Sequence, residues 1–506
     1  MPAAHPGRLR GGLVVCGTTS DAGKSWVVAG LCRLLARRGV SVAPFKAQNM
    51  ALNAAVTADG AEIGHAQWVQ ARAAGIEPEA AMNPVLLKPT GEHTSEVVVM
   101  GQVTAVRSAG EHHATHDELR PVVLGALTGL RQRFDVVICE GAGGAAEINL
   151  LDRDLANLPL AAAAGLPAIV VGDIDRGGVF ASLYGTVALL PDELRRCVRG
   201  FVINRLRGDP ALLHDGCEQL ERRTGVPTLG VIPMVPGTDL DAEDSLALDR
   251  WDTTASAGGP VLDVAVIALP RISNFGDVDP LRLEPSVSVR LVRAPAELGR
   301  PHLVVLPGSK ATREDLAWLR ATGLAAAIGA SGAAVVGVCA GLQMMGERID
   351  DPEGVEGAPG SIDGLGWLPI VTSFLGTKVL DRPAGVAVAG PGEGATVAGY
   401  RIHHGRVAPA PGARTWLRDA AGVSIGWCGD RVAGTSLHGV LESDDLRAGI
   451  LRWAADCAGV PAPDLPGVRF AESRIARLDQ IADTLEAHLE LDHLLALIAE
   501  GAPAAP

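Results

Sequence analysis

No uninterrupted apolar run in this 506-residue chain reaches membrane-spanning length, although 47% of its residues are hydrophobic. A bilayer-spanning helix is therefore not expected. The opening Met-Pro-Ala-Ala-His-Pro-Gly-Arg-Leu-Arg leads straight into an apolar strand, so no cleavable signal peptide is expected either. Positive charge is also short, with 44 Lys and Arg against 58 Asp and Glu and a formal net charge of −14. That balance argues against a general role on nucleic acid or on an anionic membrane. The eight cysteines lack metal-ligand spacing, and Cys16 and Cys139 sit inside apolar runs. A reducing cytoplasm is the expected compartment. No internal repeat is present.

What is present is a repeating order of strand and helix. β-rich apolar runs fall at Leu13–Cys16, Val40–Phe45, Val97–Met100, Val136–Cys139, Ala168–Val171, Gly200–Ile203 and Thr228–Ile232, with helical patterns between them. The length demands more than one core. Residues 237–260 are acidic, contain Ser, Thr and Gly, and lack periodicity, so they are expected to be a linker. A second series follows, with runs at Leu262–Ala268, Leu303–Leu306 and Ala334–Val338. The expected fold is α/β: two doubly wound, mostly parallel-sheet domains at 1–236 and 261–446, then a C-terminal helical segment at 447–506. Within that segment Ile475, Leu478, Ile481, Leu485 and Leu489 repeat at helical spacing and read as a packing face. The last six residues are expected to be disordered.

Two short stretches carry chemistry. Gly12-Leu-Val-Val-Cys-Gly17-Thr18-Thr19-Ser20-Asp-Ala-Gly23-Lys24-Ser25 is a strand, a glycine-bearing loop and a helix start. Such a loop cradles phosphates with backbone amides, sends its lysine to the outer phosphates and offers Ser25 to magnesium. Five residues separate Gly17 from Gly23, one more than usual, and Thr18 stands where the first glycine belongs. The acidic partner of the loop should end a later strand. Glu140, closing Phe134-Asp-Val-Val-Ile-Cys-Glu140 and followed by Gly-Ala-Gly-Gly, fits that position.

The other stretch is Val335-Val-Gly-Val-Cys339-Ala-Gly-Leu-Gln-Met-Met-Gly346. A strand meets a cysteine between Gly337 and Gly341 and turns at once into a helix, the layout of a nucleophile elbow. The helix amides favour thiolate. Gly434-Thr-Ser-Leu-His438 supplies a distant histidine able to act as base, and a Cys/His pair suits acyl transfer through a thioester. A buried structural cysteine is the competing reading.

A nucleotide-phosphate site and a cysteine site on one chain suggest a glutamine-dependent amide synthase. The first half resembles the dethiobiotin synthetase group, which activates carboxylates with ATP. Ala43-Pro-Phe-Lys46-Ala-Gln-Asn-Met50, Met82–Pro89, Glu140–Leu150, Gly172–Phe180, Arg271–Leu281 and Leu306–Lys310 together resemble the cobyric acid synthase family, over roughly residues 12–445. The resemblance implies an ATP-dependent ligase that takes nitrogen from glutamine. Its corrinoid substrate would be adenosylcobyrinic acid a,c-diamide, amidated at the b, d, e and g carboxylates. It further implies that Gly17, Thr18, Thr19, Ser20, Gly23, Lys24 and Ser25 hold ATP, with Lys46 at the transferring group or the substrate acid and Asn204 at adenine. Ser25 and Glu140, with Asp59 as a further candidate, would hold Mg2+. Cys339 and His438 would be catalytic, the amides of Ala340 and Gly308 an oxyanion hole, and Gln343 a contact for glutamine. Position 440 is valine where many relatives carry glutamate, and the first acid after His438 is Glu442, so no third triad member is assigned. His403 and His404 are adjacent on a strand and should face opposite sides, which speaks against a metal pair. Competing readings are cobyrinic acid a,c-diamide synthase, a non-catalytic partitioning ATPase and an amidotransferase for a cell-wall lipid precursor.

Overall fold

A computed structural model describes residues 9–90, 94–108, 110–111, 115–238 and 262–501. Most of the expected linker, 239–260, and the end after Gly501 lie outside the described residues. The chain divides into two units. The first takes the described residues of Met1–Ala51, Ile63–Leu240 and Arg474–Pro506; the second takes those of Leu52–Glu62 and Asp241–Ser473.

In the first unit the buried runs become β1 (Gly11–Gly17), β2 (Val42–Phe45), β3 (Val136–Glu140), β4 (Ala168–Asp173), β5 (Val198–Leu206) and β6 (Thr228–Pro233). They form one sheet in the order β6-β5-β4-β1-β3-β2, all pairs parallel. The connections reverse direction beside β1, so the C-terminal end of that strand opens a crevice where ligands bind in such sheets. One expected run, Val97–Met100, does not join this sheet. Met100 and Gly101 have φ of 48° and 77°, the geometry of a two-residue hairpin turn, and they fold Thr94–Val99 back on Gln102–Ser108 in a separate four-stranded sheet.

The helical stripe near the C-terminus completes this unit. Helix α1 (Lys24–Arg37) packs against Phe470–His488, which belongs to the first unit from Arg474 onward. Leu478, Ile481, Leu485 and Leu489 share a core with Leu13, Val15, Val28 and Leu31, whereas Ile475 is exposed. The approach is close because position 30 is glycine. A Cβ there would lie 2.5 Å from Leu485 Cδ1 and 2.6 Å from Ile481 Cγ2. Arg33 and Arg37 pair with Asp479 and Asp483 at the rim.

The second unit has a seven-stranded sheet. Its strands are β7 (Leu262–Ile267), β8 (Val287–Val292), β9 (Leu303–Leu306), β10 (Ala334–Val338), β11 (Arg414–Thr415), β12 (Gly426–Cys428) and β13 (Val432–Thr435). The order is β8-β7-β9-β10-β13-β12-β11; the first five strands are parallel and the last two antiparallel. Helix Asp444–Ala458 covers one face through Leu446, Ile450 and Leu451. Residues 52–62, although early in sequence, are tied into this unit. The Asn274 amide donates to Asn53 Oδ1 at 2.6 Å, Ala54 N donates to Asn274 Oδ1 at 2.9 Å, and Lys378 pairs with buried Glu62 at 2.8 Å.

Candidate functional site

The chain carries two polar centres, one at the C-terminal strand ends of each sheet. In the first unit the loop leaving β1 wraps the Lys24 ammonium. Its three protons go to the carbonyls of Thr19, Ser20 and Gly143, each at 2.9 Å. The Thr18 amide is tied to the Val171 carbonyl on β4. Gly23 has φ of 99°, a left-handed conformation that favours glycine, and a Cβ there would sit 2.1 Å from Asn204 Nδ2. A Cβ at Gly17 would come within 3.1 Å of Lys24 Nζ. Both glycines are thus demanded by the packing of the loop.

Glu140, at the tip of β3 and 1% exposed, is the hub of this centre. Its Oε1 accepts from Ser25 Oγ at 2.8 Å and from Lys46 Nζ at 2.9 Å, and its Oε2 accepts from Gln70 Nε2. Ser25, Lys46 and Glu140 are therefore brought together. Two expected residues stand differently. Asn204, expected at adenine, donates to the Ala22 carbonyl and accepts from the Arg205 amide, which places it against the phosphate loop. Asp59 lies in the 52–62 segment of the other unit, and its carboxylate accepts from Thr57. Gln70, buried on the helix His65–Ala73, carried no sequence signal.

In the second unit Cys339 follows β10 with φ 52° and ψ −108°, a strained conformation for a residue with a side chain. Its amide is fixed by the Thr435 carbonyl at 2.8 Å. The turn is possible because a Cβ at Gly341 would lie 2.0 Å from the Leu306 carbonyl oxygen and one at Gly337 2.5 Å from Met345 Sδ. His438 follows β13, the neighbour of β10, and is hydrogen-bonded to Cys339. Its Nδ1 meets Asp277 Oδ2 at 2.7 Å, and the Gly439 amide donates to Asp277 Oδ1 at 2.7 Å. Tyr400 stacks on the imidazole with ring centres 5.3 Å apart. Burial, the largest influence, pushes the His438 pKa down. The charges of Asp277 and Cys339 and the hydrogen bonds to both outweigh it and raise the pKa to about 10.

The acid that meets His438, where sequence reasoning left the third member open, is thus Asp277. It sits in the turn Phe275–Val278 after β7, inside the Arg271–Leu281 run, far upstream of the cysteine. Spacing gives no hint of it, because strand order places the ends of β7, β9, β10 and β13 side by side. Gly308, just past β9, lies under the imidazole: a Cβ there would be 3.0 Å from His438 Cε1. Ala340 is buried beside the nucleophile. Gln343 is buried too, its Oε1 accepting from Thr312 Oγ1 at 3.4 Å and its Nε2 against Gly405. His404 contacts the Leu375 carbonyl, while both ring nitrogens of His403 are buried without a partner among the described residues and burial lowers its pKa to about 3. No group of three or more possible metal-binding side chains occurs among the described residues. Among them, no helix is long and apolar enough to cross a membrane.

Comparison with known proteins matches both units. Residues 13–246 match the CobQ/CobB/MinD/ParA nucleotide binding domain, and residues 263–446 match the CobB/CobQ-like glutamine amidotransferase domain. Over almost the full length the chain is similar to proteins named cobyric acid synthase. Identity is 51% to the Frankia casuarinae protein and 48% to that of Nocardia farcinica, each covering 98% of both chains. To the Rhodococcus jostii protein it is 50%, covering 98% of this chain and 97% of the relative. With that coverage, and with the nucleotide loop and the cysteine elbow each built in its own unit, the chain belongs to the cobyric acid synthase family.

Proposed function

We propose that the chain amidates peripheral carboxylates of a corrinoid in cobalamin biosynthesis, using ATP and glutamine. Its substrate is adenosylcobyrinic acid a,c-diamide, and the b, d, e and g carboxylates are converted to amides. The observation that carries this reading is the buried Cys339–His438–Asp277 constellation in a chain that also builds a phosphate loop around Lys24. Cys339 attacks the side-chain amide of glutamine, His438 gives its proton to the departing ammonia, and water releases glutamate from the thioester. Backbone amides at Ala340 and Gly308 receive the oxyanion, and Gln343 contacts the substrate glutamine.

In the first unit the carboxylate takes the γ-phosphoryl group of ATP and becomes an acyl phosphate, whose leaving group ammonia can displace. Loop amides and Lys24 hold the phosphates, and Lys46 neutralises the acceptor. Ser25 and Glu140 fit Mg2+, because a hydroxyl and a carboxylate oxygen 2.8 Å apart offer the hard donors it prefers. Bound there, the ion would neutralise charge on the transferring phosphoryl group. Asp59 and Asn204 are given no part in this scheme.

The test is incubation with ATP, magnesium, glutamine and adenosylcobyrinic acid a,c-diamide, followed by product mass and by isotope tracing. Oxygen label placed in the corrinoid carboxylates should appear in inorganic phosphate. Cys339→Ser should lose glutamine-driven product, and ammonium salt should restore it. Amidation of cobyrinic acid only at a and c would favour the diamide synthase reading. Label retained in the corrinoid would exclude phosphoryl activation.

A further inference from the structure

Beside Glu140 the first unit buries two glutamines whose amides are each half used. Gln70 Nε2 donates to Glu140 Oε2, which sets the orientation of the amide, because the opposite orientation would bring two acceptor oxygens together. Its Oε1 is buried without a partner among the described residues. Gln67 is the mirror case. Its Oε1 accepts from Asn49 Nδ2 at 3.1 Å, and its Nε2 is buried without a partner among the described residues. Both side chains are fully buried, and they stand three residues apart on the helix His65–Ala73, on one face. Gly64 makes room for this cluster, since a Cβ there would lie 2.7 Å from Gln67 Oε1 and 2.8 Å from Asn49 Nδ2. A buried polar atom with no protein partner calls for a ligand or a water, and here a donor on Gln67 and an acceptor on Gln70 stand three residues apart on one helix.

We infer that Gln67 and Gln70 form the amide-forming subsite of the first unit, with Gln67 Nε2 donating to the activated carboxyl group and Gln70 Oε1 accepting from the incoming ammonia. This rests on the ligase reading above. The chemistry of the amide suits the task. An amide oxygen accepts an N–H without taking a proton or giving one, so ammonia stays neutral and keeps its lone pair. A carboxylate at position 70 would instead face Glu140 as a second negative charge. In the step served, the ammonia lone pair forms the new C–N bond and the carbonyl C–O bond to phosphate breaks. Phosphate leaves with that electron pair, and the surplus ammonia proton passes to it.

The experiment uses the full chain with ATP, magnesium, the corrinoid diamide and ammonium chloride as nitrogen source. Gln70→Met keeps the volume and removes the acceptor; it should raise the KM for ammonium about tenfold. Gln67→Met should raise the KM for the corrinoid by a similar factor. Glutamine hydrolysis, performed by the other unit, should stay at the parental rate, and ATP binding reports that the first unit is folded. If Gln70→Met fails to bind ATP, Gln70→Asn, which shortens the reach of the same amide, is read in the same way. Unchanged KM values for ammonium and corrinoid would overturn the inference and leave the glutamines to ordered water. So would a change confined to the ATP or magnesium requirement, since Gln70 would then serve Glu140 alone. If the parental chain forms no amide under these conditions, the ligase reading itself falls.

Discussion

The two polar centres are built in opposite ways. Around Lys24 most of the working parts come from one short stretch: the Thr19 and Ser20 carbonyls, the helix start and Ser25 lie within residues 17–25, with Glu140, the Gly143 carbonyl and Lys46 added from the neighbouring strands and their loops. Around Cys339 the parts come from positions 277, 339 and 438 and share no local stretch at all. A phosphate cradle can be local because backbone amides and a helix start do the binding, and a contiguous turn aims them together. A nucleophile, its base and the base's orienting acid must be three side chains at fixed distances. In the second unit Cys339 and His438 follow the neighbouring strands β10 and β13, while Asp277 comes from the turn Phe275–Val278 after β7.

Perturbing each centre tests that contrast. The largest effect is expected from Lys24→Ala. Removing the loop cation proposed to hold the outer phosphates should lower amidation by a factor on the order of 10^3, with glutamine and with ammonium alike, as steady-state rates would show. Asp277→Asn comes next and should be selective. Glutamine-driven product should fall on the order of 10^2-fold while ammonium-driven product is kept. Loss of both together would break the division of labour between the units.

The same variant has a signature in pH. The folded pKa of His438, about 10, lies above its ordinary value near 6.5, so protonation of His438 stabilises the fold. That contribution is complete below the ordinary value and is lost as pH rises through the folded one. The parental melting temperature should therefore fall by more than that of Asp277→Asn between neutrality and a pH of about 10. Equal slopes would show that Asp277 does not hold the imidazolium.

Leu485→Ala sharpens the comparison from the side of packing. It empties a buried position against Gly30 on the helix that follows the phosphate loop, and it should cost about 2–5 kcal/mol in denaturant unfolding, although the two residues lie far apart in sequence. The smallest effect is expected from Arg38→Ala. Its ion pair with Glu486 is exposed on both sides, so the loss should stay below about 1 kcal/mol.

How much of the sites was legible follows from this difference. Gly23, Lys24 and Ser25 announce themselves because the chemistry and the turn share one stretch, and Cys339 does so because its elbow needs small residues on either side. His438 was recoverable as a histidine at a strand end. Asp277 was not: the Arg271–Leu281 run resembles the family, but nothing in its spacing ties an acid there to a base 161 residues later. Gln70 looks like any polar residue of an amphipathic helix until Glu140 is seen to accept from it. Asn204 was legible as a residue ending a strand, and only the structure shows its bonds to the Ala22 carbonyl and the Arg205 amide.

By itself the sequence determined the local matters: where strands and helices alternate, which turns need glycine, where a phosphate loop and a cysteine elbow lie, and that the stripe from Leu478 to Leu489 is a packing face. These are set by periodicity and backbone sterics within a few residues. Only the tertiary structure decided which distant segments meet. It placed residues 52–62 with the second unit, closed the first core with the C-terminal helices, sent the Thr94–Val99 strand out of the main sheet and chose Asp277 as the acid behind His438. The physical reason is that strand order and burial are properties of the whole chain. A buried donor or acid takes the partner that packing brings to it, and one-dimensional spacing does not carry that choice.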